Sequence, residues 1–234
     1  MGGILGRVTA LTRYPVKSMA GEAMDSAELR WSGLAGDRQY SFLRSDSRSH
    51  FPWLTGREVP SLVRHAPRYL QPEDLRRSAI EVTDPAGRVL ALEDPELAAA
   101  LATEAGERVA LLHLGRGAFD AMPVSLVTTG SLARLDAAHG AGLDTRRFRI
   151  NIVIDSAAEE AAWQSRRIGI GAAELMASGP VPRCAMVTIC PDTARRDPTV
   201  LRTVAQQFGN ALGIYAATAR CGPIRVGDAV RLLD

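Results

Sequence analysis

Pro180-Val181-Pro182-Arg183-Cys184-Ala185-Met186-Val187-Thr188 sets a cysteine beside an arginine, after a proline-rich break and before a short apolar run. The run Ala185 to Ile189 reads as a strand, which puts the thiol of Cys184 at a strand start, where a side chain can face a cleft. A neighbouring guanidinium favours the thiolate, the form that attacks electrophiles and binds soft metals. The bland alternative is a small core residue, because free cysteine packs like one. Cys190 and Cys221 read as structural; Cys184 and Cys190 lack the Cys-x-x-Cys spacing of a zinc or redox pair. On one strand, Cys184 and Cys190 would lie ~20 Å apart, too far for a disulfide.

Outward from this stretch the chain is a series of short strands. Arg167 to Ile170 and Ala173 to Ala177 precede it; Ile214 to Ala219 and Ala229 to Leu233 follow, the last two separated by a turn at Gly227-Asp228. Between them Asp197 caps a helix opened by Pro198, with Val200, Leu201, Val204 and Phe208 at helical spacing. Further upstream, Ile4 to Thr12, Met24 to Trp31, Gln39 to Leu43, Val109 to Leu114 and Asn151 to Asp155 are strand candidates. Ile80 to Thr83 and Val89 to Leu92 flank Asp84-Pro85-Ala86-Gly87, a hairpin signal. Asp94-Pro95 starts a helix through about Glu104, and Thr129 or Gly130 a second through Ala138. Residues 44–60 read as a polar loop around Phe51-Pro52-Trp53; Trp53 reads as a packing residue, in a loop that could wall a substrate cleft. Many strands with few helices give a mostly β, α+β fold containing a barrel. Gly115 to Gly117 is the best boundary, dividing the chain into residues 1–114 and 115–234.

Composition excludes several classes. The 234 residues suit one large or two small interlocked domains, with 46% hydrophobic and 23% charged residues, as in ordinary globular proteins. A net charge of +2 gives no reason to expect nucleic acid or a membrane surface. The start at Met1-Gly2-Gly3 lacks a leader pattern, and no apolar run approaches the ~20 residues of a membrane span. Three cysteines without paired spacing point to a reducing cytoplasm. His50, His65, His113 and His139 are scattered, without metal-ligand spacing. No dinucleotide fingerprint and no nucleophile-elbow motif is present.

Several polar groups have chemistry to offer. Lys17, the only lysine, and Ser18 follow Tyr14-Pro15-Val16 and suit a phosphate; the alternative is an exposed turn. Arg38, oriented by Asp37, offers a planar fork to a phosphate or a heterocycle edge, or else a local ion pair. Arg149 and Asn151 alternate along an expected strand and would share a face. Thr128-Thr129-Gly130 opens a helix, and two readings stand level: simple capping, or backbone N–H groups presented to an anion.

Taken in order, Tyr14-Pro15-Val16-Lys17-Ser18, Gly36-Asp37-Arg38, Arg147-Phe148-Arg149-Ile150-Asn151-Ile152, Arg183-Cys184, Pro191-Asp192-Thr193, Tyr215 and Ile224-Arg225-Val226-Gly227-Asp228 resemble the MOSC family, named for the C-terminal domain of molybdenum cofactor sulfurase. The resemblance covers nearly the whole chain. It implies a MOSC-type β-barrel over 115–234 and a smaller N-terminal β-barrel-like module over 1–114. Among the amidoxime-reducing members it implies a molybdenum–molybdopterin cofactor with Cys184 as metal ligand and catalytic centre. Lys17, Ser18, Arg38, Arg149 and Asn151 would surround the cofactor, with Arg183, Tyr215 and the turn Thr128-Thr129-Gly130 close by. The implied reaction is reduction of N-hydroxylated small molecules. The chain carries no cysteine cluster for an iron–sulfur relay, so electrons are expected from a separate donor protein. Departures stand at Val181, where many members have a second cysteine, at Ile150, where they have proline, and at Cys190 and Ala194, where they have aspartate and glycine. The missing thiol keeps two alternatives open: sulfur transfer or carbon–sulfur bond processing at Cys184 without molybdenum, and a non-catalytic carrier of the cofactor.

Overall fold

A computed structural model describes residues 3–140 and 142–233. Met1 and Gly2, where the leader reading begins, lie outside the described residues.

The protein is mostly β, and its centre is a closed barrel of seven strands. Around the barrel run Ile152–Asp155, Val124–Thr128, Ala211–Arg220, Ala173–Pro182, Arg167–Ile170, Ala229–Leu232 and Ile4–Arg13. The circle closes because Ile4–Arg13 pairs antiparallel both with Ala229–Leu232 and with Ile152–Asp155. The first strand thus lies before Gly115 in sequence but belongs to the barrel built otherwise from residues beyond it. Val124–Thr128 and Ile152–Asp155 are parallel, and helix α2 (Thr129–His139) lies in the crossover such a pair requires. The barrel interior is filled by alternating branched side chains, among them Val8, Leu11, Ile154, Ile168, Leu175, Ile214 and Val230.

Val124–Thr128 has no alternation to betray it. All five residues are buried, since Leu126 faces the barrel core and Val127 the layer outside it. That outer layer consists of α2 and α3 (Pro198–Gln207) packed through Leu135, Val200 and Val204 onto Val127, Phe148 and Val187. A separate core of Val16, Phe42, Leu54, Leu62, Tyr69, Val82 and Leu97 holds the first module, with the hairpins Ala66–Tyr69/Ile80–Thr83/Val89–Ala91 and Tyr40–Arg44/Val109–His113 and helix α1 (Pro95–Ala105).

Three expectations are corrected. Ala185–Ile189 is not a strand: Ala185–Thr188 forms a 3-10 turn that follows an extended Cys184, with Thr188 Oγ1 donating to the Ala185 carbonyl at 2.7 Å. The turn drives Val187 into the layer under α3, burial that a straight strand would not give. The strand before it does not stop at Ala177 but runs to Pro182, its register slipping at Pro180 and Pro182, where prolines remove ladder donors. Arg149 and Asn151 do not alternate along a strand; Arg149 ends the 3-10 turn Thr145–Phe148 in the left-handed region, and the strand begins at Ile152. Among the described residues no helix is long and apolar enough to cross a membrane.

Candidate functional site

The first strand ends at Arg13, and Pro15 breaks the chain away from the barrel wall. This break carries Lys17 and Ser18 to the junction of barrel and first module, where Lys17 N bonds the Tyr40 carbonyl at 2.8 Å. The same junction receives the turn holding Asp37-Arg38, the end of the turn Thr145–Phe148, and the end of the long strand at Pro182. A cleft results, lined by Lys17, Ser18, Arg38, Arg149, Asn151, Arg183, Cys184 and Tyr215. The thiol of Cys184 is exposed.

Ser18, Arg38 and Arg149 all hold positive φ, at 66°, 50° and 52°. Side chains rarely adopt this backbone, and such positions gather at functional sites because the surrounding fold must enforce them. Here Arg38 N donates to the Tyr14 carbonyl at 2.5 Å and Arg149 N to the Arg146 carbonyl at 3.1 Å.

The basic side chains are individually anchored. Lys17 Nζ donates to Asp120 at 2.5 Å and to the Ala118 carbonyl at 2.6 Å. Burial lowers its pKa, with Asp120 opposing. Arg38 pairs with buried Asp37, which also accepts from Tyr14 N at 2.7 Å. Burial works against the Arg38 charge, but Asp37, Tyr14 and Asp120 together offset it and the pKa is raised. Arg38 and Arg149 both pack on the Tyr14 ring, 4.7 and 4.3 Å from its centre. Burial pushes Arg149 down to about 10, so it stays charged at neutral pH. Its Nη1 bonds the Met19 carbonyl at 2.6 Å, and its Nη2 is buried without a partner.

Two of the lining residues spend their polar groups on the chain itself. Arg183, which lines the cleft with Cys184, bonds the Phe148 carbonyl at 2.7 Å and the Leu212 carbonyl. It lashes together the segments that frame Cys184 rather than offering a free charge. Asn151 Oδ1 accepts from Ser125 N and Oγ, at 3.2 and 3.0 Å, and its Nδ2 donates to the Thr12 carbonyl at 3.1 Å. Its amide ties barrel strands under the cleft floor.

Thr128, Thr129 and Gly130 do not line the cleft. Thr128 caps α2 by accepting from Ser131 N at 3.1 Å, and the buried Glu160 carboxylate accepts from Thr128 N and from Ser131 Oγ. A carboxylate of the chain itself thus occupies the place an anion would take. Of the loop 44–60, Thr55 and Arg57 line the cleft and Trp53 does not. Sequence reasoning missed Asp120 and Ser125 as anchors and Tyr14 as the platform for two guanidiniums. Tyr14 carried a signal, its place in the motif before Lys17; Asp120 and Ser125 carried none.

The MOSC domain family matches residues 112–231, and the MOSC N-terminal beta barrel domain family matches residues 5–115. The chain belongs to the MOSC domain family. Curated relatives include the molybdenum cofactor sulfurase of Bombyx mori, 43% identical over 75 residues, covering 30% of this chain and 9% of that protein. Another is the mitochondrial amidoxime reducing component 2 of Bos taurus, 31% identical over 128 residues, covering 47% of this chain and 37% of that protein. The MOSC chain therefore spans well under half the length of either. Among solved structures, the YuaD protein from Bacillus subtilis superposes with a TM-score of 0.53 at 13% identity, covering 99% of this chain and 98% of that one, a likeness of fold.

Proposed function

We propose that this protein holds a molybdenum–molybdopterin cofactor, with Cys184 as the metal's protein ligand, and reduces N-hydroxylated compounds using electrons from a separate donor protein. One arrangement carries the reading: an exposed thiol opens on a cleft that also gathers Lys17, Ser18, Arg38 and Arg149. The residues fit such a group. A thiolate is a soft ligand suited to molybdenum. Three cations and a hydroxyl suit a phosphate, and the unpartnered Nη2 of Arg149 is a buried donor that a phosphate oxygen would satisfy. The amidoxime reducing components and molybdenum cofactor sulfurases among the relatives support a role linked to the molybdenum cofactor.

When bound, the cofactor would supply two-electron redox chemistry at its metal. The chain's part is to hold and orient. Asp120 and Asp37 fix Lys17 and Arg38 as clamps of the anionic end. Arg183, through the Phe148 and Leu212 carbonyls, fixes the strand end from which Cys184 projects. Burial raises the Tyr215 pKa, against Arg183, so its hydroxyl remains a proton-bearing donor at neutral pH.

The test is molybdenum and pterin content of protein made in a cofactor-competent host, then amidoxime reduction with reduced viologen or with NADH alone. Viologen-driven turnover is expected, without NADH-driven turnover. Cys184→Ser should abolish it, while Cys190→Ser and Cys221→Ser keep most of it. Retained turnover in Cys184→Ser with loss in either other variant would overturn the ligand assignment. Protein that takes up no molybdenum but carries persulfide sulfur on Cys184 would favour sulfur transfer, the chemistry named in the sulfurase relatives. Bound cofactor without turnover would favour a carrier.

A further inference from the structure

The cleft has a larger neighbour. Arg147, Arg149 and Met186 line both the cleft, of about 120 Å³, and a second cavity of about 540 Å³. The second volume falls in the range of roughly 300–1,000 Å³ typical of small-molecule sites. Its apolar wall comes from the outside of the barrel at Val127, Ile150 and Val153, from Leu132 of α2, and from Ala23 and Val63 of the first module.

The polar lining is unbalanced. Arg64, Arg146, Arg147 and Arg149 face Asp192 alone among charged side chains. Arg146 is already satisfied, bonding Asp144 and Asp192 at 2.6 Å each. Arg147 is not. Its Nη1 donates to the Thr188 carbonyl at 2.9 Å, but its Nε is buried without a partner. With Arg146 already paired, Arg64, Arg147 and Arg149 leave this lining with an excess of positive charge, which favours an anionic acceptor on whatever fills the cavity.

We infer that this cavity is a second binding site, distinct from the Cys184 cleft, for an apolar molecule carrying one carboxylate. The apolar part packs among Val127, Leu132 and Val153, and the carboxylate accepts from Arg147. The inference does not rest on the cofactor reading.

The probes are octanoate, its neutral counterpart octan-1-ol, and acetate, titrated calorimetrically into the full chain. Octanoate should bind one to one and more tightly than octan-1-ol, and acetate should not bind. Arg147→Met should weaken octanoate by about tenfold or more, the worth of one charge-assisted bond, and leave octan-1-ol unchanged. Val153→Phe, filling the cavity, should weaken both; if it fails to fold, Leu132→Phe, from α2, makes the same test. Cys184→Ser should leave octanoate binding unaltered. Absence of octanoate binding at millimolar concentration, equal affinity for acid and alcohol, or octanoate binding that survives both Arg147→Met and a folded cavity-filling variant would overturn the inference.

Discussion

Lys17 is held in the cleft at a cost in stability. Burial lowers its pKa despite Asp120, so between its folded value and the ordinary 10.5 the unfolded chain binds more protons than the folded one. Stability linked to Lys17 therefore rises with pH across that window, and its cost is full below it. Denaturant unfolding of wild type and Lys17→Met at pH 7 and pH 10 should show wild type gaining on the variant as pH rises. An unchanged difference would remove the buried ammonium as a destabilising group. Ala194 tells a related story from a residue with no polar chemistry. It sits at φ 58°, in the left-handed region that favours glycine. Ala194→Gly should stabilise the fold by up to about 1 kcal/mol, because glycine accepts a left-handed backbone without the Cβ clash. Its melting temperature checks this. None of these backbone conformations was legible in the sequence. Lys17, Arg38 and Arg149 were named through resemblance, since spacing alone could not bring positions 17, 38 and 149 to one cleft.

At the scale of elements, α2 separates a capping function from a binding one. Glu160 closes its first turn from a neighbouring segment, and Glu160→Gln exchanges a carboxylate acceptor for a neutral amide beside Thr128 N and Ser131 Oγ. A loss of about 1–3 kcal/mol is expected by denaturant titration, with cofactor occupancy unchanged. Reduced occupancy in folded Glu160→Gln would return this helix end to the binding site. Gly130 belongs to the same construction: a Cβ there would stand 2.9 Å from the Ala157 Cα and the Ser156 carbonyl oxygen. Helices α1 and α3 were legible because Asp94-Pro95 and Asp197-Pro198 combine a cap with a pre-set φ. Val124–Thr128 was missed because burial on both faces erases the period of two. The residues after Cys184 were misread for the opposite reason. Their apolar, β-branched run looks like a strand, but Arg147 bonding the Thr188 carbonyl and α3 packing on Val187 make a turn the better use of it.

For the whole molecule, the decisive feature is the place of Ile4–Arg13. Family matching divides the chain near residues 112–115, but this strand crosses that division to close the barrel. A fragment of residues 115–234 would leave Ile152–Asp155 and Ala229–Leu232 with unpaired edges. Expressed alone, it should be insoluble or lack near-ultraviolet circular dichroism; co-expressed with residues 1–114, it should recover both. A well-folded isolated fragment would show that the seam is dispensable. The same seam sets a timetable. A chain emerging from the ribosome makes Ile4–Arg13 long before Ala229–Leu232. At 5–20 residues per second, the 219 residues from position 13 to position 232 (232 − 13) take roughly ten to forty seconds to synthesise. Throughout that interval one flank of Ile4–Arg13 waits for a partner not yet made, and a nascent chain in that state is a natural client for chaperones that shield exposed edges.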